Sequence, residues 1–161
     1  MRHAKSDWHS HTADIDRPLN KRGRSNAGNM GATLKQMNLI PDKMVVSAAQ
    51  RTRETAALLL AHLSVAEQDI IIDKALYLAD RETLCENIEL YAKPNQRLLI
   101  LAHNPGMDDI VNYLASTAPP LSDSGKLMTT CAVACFRLQS FESLTKPSQA
   151  ELLNLIRPDD F

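Results

Sequence analysis

The 161-residue sequence is poor in several features that would define its class. Its three cysteines, Cys85, Cys131 and Cys135, show no CxxC spacing and are odd in number, so we expect no disulfide framework and a reducing compartment. Its longest apolar runs, such as residues 98–102, are far too short to span a bilayer. Lys and Arg number 18 against 19 Asp and Glu, a net charge of −1, which argues against a general nucleic-acid binder.

The given chain begins directly with Met1-Arg2-His3. We therefore expect no signal peptide and a cytoplasmic location. Hydrophobic residues make up 44% and charged residues 23%, which is ordinary for a globular protein. The length favours one domain over residues 1–161 with a substantial core.

Short apolar segments alternate with helical patterns along the chain after a polar loop over residues 4–19. Asn20 is a candidate N-cap for the first helix. The patterns predict helices over residues 21–38, 52–63, 80–91 and after Pro105, and strands over residues 44–46, 70–72, 97–102, 131–138 and 151–156. This alternation predicts an α/β three-layer sandwich, with helices on both faces of a mainly parallel central sheet.

Cationic and imidazole side chains follow three of the predicted strands. In such sheets ligands bind beyond the carboxyl ends of the strands, so we expect Arg2, His3, Arg51 and His103 to meet at one edge. Two guanidiniums and two imidazoles suit a dianionic phosphoryl group, because arginine donates paired hydrogen bonds to phosphate oxygens. A neutral histidine can be the nucleophile. Positioning and charge neutralisation could then replace a metal.

Six segments of the chain, in order, carry a family resemblance. They are Arg2-His3-Ala4-Lys5-Ser6-Asp7-Trp8, Arg17-Pro18-Leu19-Asn20-Lys21-Arg22-Gly23, Ser47-Ala48-Ala49-Gln50-Arg51-Thr52-Arg53-Glu54-Thr55-Ala56, Leu76-Tyr77-Leu78-Ala79, Leu101-Ala102-His103-Asn104-Pro105-Gly106 and Leu155-Ile156-Arg157-Pro158. In sequence and spacing they resemble the histidine phosphatase superfamily, in the form of its SixA-type branch of phosphohistidine phosphatases. The resemblance implies a phosphoglycerate mutase-like fold.

The resemblance also implies roles for individual residues. His3 would be the phosphoryl-accepting nucleophile, with Arg2, Arg51 and His103 holding the phosphoryl group. A second set, Ser6 and His9, would make further contacts to phosphate or substrate, whereas Asn104 is predicted to cap the helix that Pro105 begins. No metal or cofactor is implied. The implied partner is a phosphohistidine-bearing protein, either a phosphotransfer domain or a carrier of the sugar phosphotransferase system, with no nucleic-acid or membrane partner.

The chain departs from the family pattern in its general acid. Asp80 and Glu82 lie in the corresponding region, but each is predicted to be a solvated carboxylate at a helix start. An alcohol leaves poorly without a proton, whereas imidazole, whose conjugate acid has a pKa of roughly 6.5, leaves readily from a P–N bond. A missing acid therefore favours phosphohistidine as substrate.

A second departure concerns the first strand. Family members carry about five apolar residues before the Arg-His pair, enough for a central strand, but only Met1 precedes Arg2 here. We expect either that the given chain starts downstream of the natural start or that the first strand is truncated. A truncated strand would hold His3 less precisely.

Three other interpretations remain open. His3, His9, His11, Asp14 and Asp16 could be a zinc or manganese cluster, although their spacing matches no trusted metal motif. The protein could be a non-catalytic phosphate-binding module. It could also be a general phosphomonoesterase of the same superfamily that acts on small molecules or phosphoserine.

Overall fold

The computed structural model describes residues 1–140, 144 and 146–160 of the chain. Within them lie four helices, namely α1 (Lys21–Gln36), α2 (Gln50–Leu60), α3 (Arg81–Tyr91) and α4 (Gly106–Leu114). The strands are β1 (Lys43–Ser47), β2 (Ile70–Asp73), β3 (Leu98–Leu101), β4 (Val133–Arg137) and β5 (Glu151–Ile156). Short 3₁₀ turns cover Asp14–Asp16, Glu67–Asp69, Lys74–Leu76 and Pro158–Asp160.

The central sheet is parallel, with strand order β2-β1-β3. Met44 of β1 pairs with Ile70 on one side and Leu99 on the other. Strands β4 and β5 pair with each other in an antiparallel ladder. Because the parallel strands share one direction, their carboxyl ends open at the same edge, which is where Ser47 and His103 lie.

The N-terminal residues fill the gap between these two ladders. Arg2 forms a single parallel bridge with Ala102, and the amide of Ala102 donates to the carbonyl of Met1. On the other side, Arg2 donates to the carbonyl of Ala132 and Cys131 donates to that of His3. The first strand is thus reduced to one bridge, yet its backbone is hydrogen-bonded on both sides and fixes His3.

Side chains of the central sheet alternate between two hydrophobic clusters. Met44 and Val46 pack with α1 and α2, while Val45 packs with α3 and α4. Successive side chains of a strand point to opposite faces of the sheet. Both sets are buried here because helices cover both faces. The predicted three-layer α/β sandwich with a mainly parallel sheet is therefore confirmed.

The helix ends agree with the predictions in one case and differ in another. Asn20 caps α1, and its side-chain oxygen accepts from the amide of Gly23 at 2.8 Å. The predicted cap at Asn104 is wrong, because α4 begins after Pro105 without a side-chain cap. Instead the Asn104 amide reaches the carbonyl of Met128 at 3.4 Å.

No helix in the described part of the chain is long and apolar enough to cross a membrane.

Candidate active site

His3 is buried at the open edge of the sheet, and its hydrogen bonds define its tautomer. Its Nδ1 lies 2.7 Å from the carbonyl oxygen of Ala4. A carbonyl can only accept, so Nδ1 carries the proton and Nε2 keeps its lone pair. Consistently, Nε of Arg51 donates to Nε2 of His3 across 3.3 Å. The nitrogen that bears the lone pair therefore faces a guanidinium.

The His3 imidazole is neutral at physiological pH. Burial lowers its pKa from 6.5 to about 3, and the nearby His103, Arg51 and Arg2 act in the same direction. A charged imidazole has no lone pair to donate, so a lowered pKa keeps a histidine available as a nucleophile.

Arg51 enters the site from the first turn of α2, directly after the edge where β1 ends. The turn is fixed by Thr52, whose hydroxyl donates to the carbonyls of Ser47 and Ala49 at 2.7 and 2.6 Å. The Arg51 side chain is 3% exposed, and besides His3 it donates from Nη2 to Oδ2 of Asp14 at 3.0 Å. A buried, hydrogen-bonded guanidinium of this kind is pre-organised for phosphate.

His103 lies directly beyond β3 and faces His3, with the ring centroids 5.0 Å apart. Its Nε2 lies 2.7 Å from Oγ of Ser47. Its Nδ1 is buried and has no hydrogen-bond partner among the described residues. Burial, followed by the charge of Arg51, lowers its pKa to about 4. This leaves a neutral imidazole with one unengaged nitrogen beside the nucleophile.

Arg2 is adjacent to His3 in the chain and borders a separate cleft. Its Nη1 donates to the carbonyl of Met128 at 2.7 Å, while Nε is buried with no partner in the described part of the chain. Burial lowers its pKa, and Asp108 partly counters this. The cleft, of about 430 Å³, is also lined by Asn104 and Lys126. Arg2 can therefore bring positive charge to the site from the α4 side.

Ser6 and His9, the predicted second set, lie in different surroundings. Ser6 is buried, and its backbone forms an antiparallel bridge with Leu19. His9 is exposed, and its backbone amide donates to Oδ1 of Asp7 at 2.9 Å. Neither side chain is hydrogen-bonded to His3 or Arg51 in the described residues, so their role as substrate contacts stays a prediction.

Three further residues lie at the site, although the sequence analysis did not assign them to it. Asp14 receives hydrogen bonds from Arg51 and, at 2.7 Å, from the hydroxyl of Tyr77. Arg17 pairs with Oδ1 of Asp14 at 2.9 Å. Tyr77 also meets the ring of His103 edge-on, with centroids 5.6 Å apart. Arg17 and Tyr77 lie inside segments that carry the family resemblance, which is the signal that could have found them.

The two candidate acids lie on another part of the surface. Asp80 caps α3, because its Oδ1 accepts from the amide of Thr83 at 2.9 Å, and this bond lowers its pKa. Glu82 pairs with Arg81. Asp80 and Glu82 line a cleft of about 440 Å³ that does not include His3. Both observations match the predicted structural role at the helix start.

Metal ligands are not brought together in the described part of the chain. No group of three or more His, Cys, Asp or Glu side chains in it could hold a metal ion. Asp14, one of the residues of the alternative metal cluster, instead faces the guanidiniums of Arg51 and Arg17.

Comparison with known sequences links the chain to a family. The sequence model described as histidine phosphatase superfamily (branch 1) matches residues 1–77, which include Arg2, His3 and Arg51. An uncharacterized protein of Mycobacterium tuberculosis is 34% identical over 116 residues, which are 72% of this chain and 70% of that protein.

Comparison with solved structures shows a shared fold. The protein histidine phosphatase SixA complexed with tungstate has a TM-score of 0.81 at 19% identity, over 99% of this chain and 96% of that one. The mycobacterial glucosyl-3-phosphoglycerate phosphatase has a TM-score of 0.59 at 15% identity, over 96% and 94%. The arrangement of layers described above is therefore that of known phosphatases with different substrates.

Proposed function

Because the chain belongs to the histidine phosphatase superfamily and is a phosphatase, we propose that it removes phosphate from phosphohistidine on a partner protein. The proposed route is metal-independent and passes through a phosphohistidine at His3. The observation that carries it is the 3.3 Å contact between Nε2 of neutral His3 and Nε of Arg51. This contact supports the proposal, because a phosphoryl group that formed a bond to Nε2 would meet the Arg51 guanidinium beside it.

In the first step the lone pair on Nε2 of His3 forms a bond to phosphorus, and the P–N bond to the substrate imidazole breaks. The substrate ring, protonated on its second nitrogen, leaves as neutral imidazole. The phosphorylated His3 ring becomes cationic, and the carbonyl of Ala4 stabilises its Nδ1–H at 2.7 Å. In the proposed route Arg51, Arg2 and Nδ1 of His103, which has no partner among the described residues, donate to the transferring oxygens, where donors act most strongly in a dry site.

In the second step water attacks phosphorus and the bond to Nε2 of His3 breaks. His3 leaves as the neutral imidazole that began the cycle, with its proton still on Nδ1. One water proton passes to solvent and the rest of the water stays in inorganic phosphate. Imidazole is the leaving group in both steps, so neither step needs an acid to protonate an alkoxide.

The placement of the carboxylates supports a phosphohistidine substrate. Asp80 and Glu82 line a cleft without His3, and the hydrogen bond from Tyr77, followed by that from Arg51, lowers the pKa of Asp14. An ionised carboxylate cannot give a proton to a leaving oxygen. Such a site favours a leaving group with a low pKa over an alcohol.

Exposed apolar side chains beside the site support a protein as the carrier of that phosphate. The Trp8 ring is 69% exposed and stacks on Arg17 with 3.7 Å between guanidinium carbon and ring centroid. Leu78 is 54% exposed and directly follows Tyr77. Exposed apolar side chains next to residues of the site suit a macromolecular partner. The partner proposed is a phosphotransfer domain or a carrier of the sugar phosphotransferase system.

The test compares three substrates: a phosphohistidine protein, a phosphoserine peptide and an aryl phosphate. We expect the highest kcat/KM on the phosphohistidine protein, and His3→Ala should abolish turnover of all three. Alkaline quench during turnover should trap phosphate on His3, because a phosphohistidine adduct is base-stable and acid-labile. Equal rates on phosphohistidine and phosphoserine would refute the substrate proposal, and binding of phosphoprotein without turnover would indicate the non-catalytic module.

A further inference from the structure

The guanidinium of Arg51 presents a two-pronged edge to the site. Its Nε and Nη2 donors lie on the same side of the planar group and form the fork that binds two oxygens of one phosphate. In this structure Nε donates to Nε2 of His3 at 3.3 Å, and Nη2 donates to Oδ2 of Asp14 at 3.0 Å. A phosphoryl group on His3 would need this same fork.

The Asp14 carboxylate is bound there by the kind of donors that would bind a phosphate. One of its carboxylate oxygens accepts from Arg51 and from the hydroxyl of Tyr77 at 2.7 Å. The other pairs with Nη2 of Arg17 at 2.9 Å. Two arginines and one hydroxyl converge on a single carboxylate, which is a donor set that also suits two oxygens of a phosphoryl group.

We propose that Asp14 is a phosphate mimic, which holds the Arg51 fork in the free protein and is displaced when the substrate phosphoryl group enters. Binding is then an exchange of one anion for another at Arg51. The inference rests on the proposed function, because it requires the site beside His3 to bind phosphate.

The position of Asp14 in the fold makes this exchange feasible. It opens the 3₁₀ turn Asp14–Asp16, in which no residue is buried. Its side chain is 45% exposed, whereas that of Arg51 is 3% exposed. The carboxylate can therefore move without breaking core packing while the arginine stays fixed.

Charge repulsion also makes the displacement of Asp14 necessary when a phosphoryl group binds. Asp14 is ionised at neutral pH, because its hydrogen bonds from Tyr77 and Arg51 lower its pKa. A phosphoryl dianion in contact with the Arg51 fork would lie beside this carboxylate, and the two like charges repel at short range. Asp14 thus weakens phosphate binding, and its removal should strengthen it.

The test measures inhibition by inorganic phosphate during aryl phosphate hydrolysis, with direct calorimetric titration of phosphate as the second readout. Asp14→Asn removes the charge and keeps the shape. We expect it to lower the Ki and Kd for phosphate about fivefold, from loss of one partly screened like charge. Tyr77→Phe removes a donor that holds the carboxylate and should lower both constants about twofold.

The matched control is Asp16→Asn, which removes the same charge from the same turn. Asp16 forms none of the ion pairs found among the described residues, so phosphate affinity should change less than in Asp14→Asn. Unchanged or weaker phosphate binding in a folded Asp14→Asn variant overturns the inference and assigns Asp14 to positioning Arg51. If Asp14→Asn does not fold, unchanged or weaker binding in Tyr77→Phe overturns it. Wild-type protein that binds no phosphate would instead contradict the proposed function.

Discussion

Oγ of Ser47 lies 2.7 Å from Nε2 of His103. Ser47 ends β1 and His103 follows β3, and these strands are neighbours in the parallel sheet. The hydrogen bond therefore joins the ends of two neighbouring strands and restrains the imidazole ring through Nε2. Since Nε2 is engaged, Nδ1 is the nitrogen left for a phosphoryl oxygen.

Ser47→Ala should remove this restraint on His103. We expect kcat for aryl phosphate to fall about tenfold, because a misplaced catalytic group loses orientation, with a smaller change in KM. Ser47→Cys, which keeps the size and a weak donor, should give an intermediate kcat. Thermal unfolding of each variant separates positioning from stability, and an unchanged kcat in Ser47→Ala would contradict the role.

Arg51→Lys separates the contribution of the guanidinium geometry to activity from that of the positive charge. Lysine carries the charge on one nitrogen, so it cannot donate to His3 and a phosphoryl oxygen with fixed geometry. We expect kcat/KM to fall on the order of 100-fold, with a similar or larger loss in Arg51→Ala. Arg53→Lys, a change on the exposed side of the same helix, serves as the control. Activity of Arg51→Lys within a few-fold of wild type would show that charge alone suffices.

The proximity of the candidate site residues was predictable from the sequence, because they follow strands that share one open edge. His3, Arg51 and His103 do meet there, and Arg2 lies close enough to lower the pKa of His3. The cap at Asn20 was predictable for the same reason, since it depends on residues only three positions apart.

The contacts of Asp14 with Arg51 and Tyr77 show what sequence patterns could not reveal. Its partners Arg51 and Tyr77 are 37 and 63 positions away, and a polar loop has no periodicity that would place it over α2. The bridge at Arg2 was equally hidden. Backbone hydrogen bonds to Ala102 and Ala132 replace a full strand, and such bonds leave no side-chain pattern.

Stability should fall as the pH is lowered from 6.5. Unfolded histidine titrates near pH 6.5, whereas the folded pKa of His3 is about 3 and that of His103 about 4. Between these values the unfolded state binds more protons, so the free energy of unfolding decreases with falling pH. Each residue contributes about 1.4 kcal/mol per pH unit. Urea denaturation from pH 6.5 to 5 gives the free energy of unfolding at each pH. Its slope against pH should be smaller in His103→Gln than in wild type, by about one proton, and equal slopes would exclude a contribution from His103.

The exposed side chain of Leu78 should matter for a protein substrate more than for a small one. Leu78→Asn removes the apolar surface and suits the backbone, because φ is 53° there and asparagine tolerates this region. We expect the ratio of kcat/KM on phosphohistidine protein to that on aryl phosphate to fall about fivefold, as for a lost interface contact of roughly 1 kcal/mol. Leu90→Ala, at a residue 70% exposed on α3, should leave the ratio unchanged. An equal drop in both variants would argue against a specific docking role.

Two glycines of α1 should respond to alanine in opposite directions. A Cβ at Gly23 would lie 2.1 Å from the carbonyl oxygen of Lys5, whereas a Cβ at Gly28 meets no atom within 4 Å. Lys5 is two residues from His3, and its carbonyl accepts from the amide of Asn20 at 3.0 Å. Gly23→Ala must push this segment away, at a cost of roughly 1–3 kcal/mol in unfolding free energy, and should lower kcat as His3 shifts. Gly28→Ala should stabilise the protein by about 0.5–1 kcal/mol through helix propensity and leave kcat unchanged. Chemical denaturation and aryl phosphate turnover measure both, and a Gly23→Ala variant with wild-type stability would show that the contact with Lys5 is not restrictive.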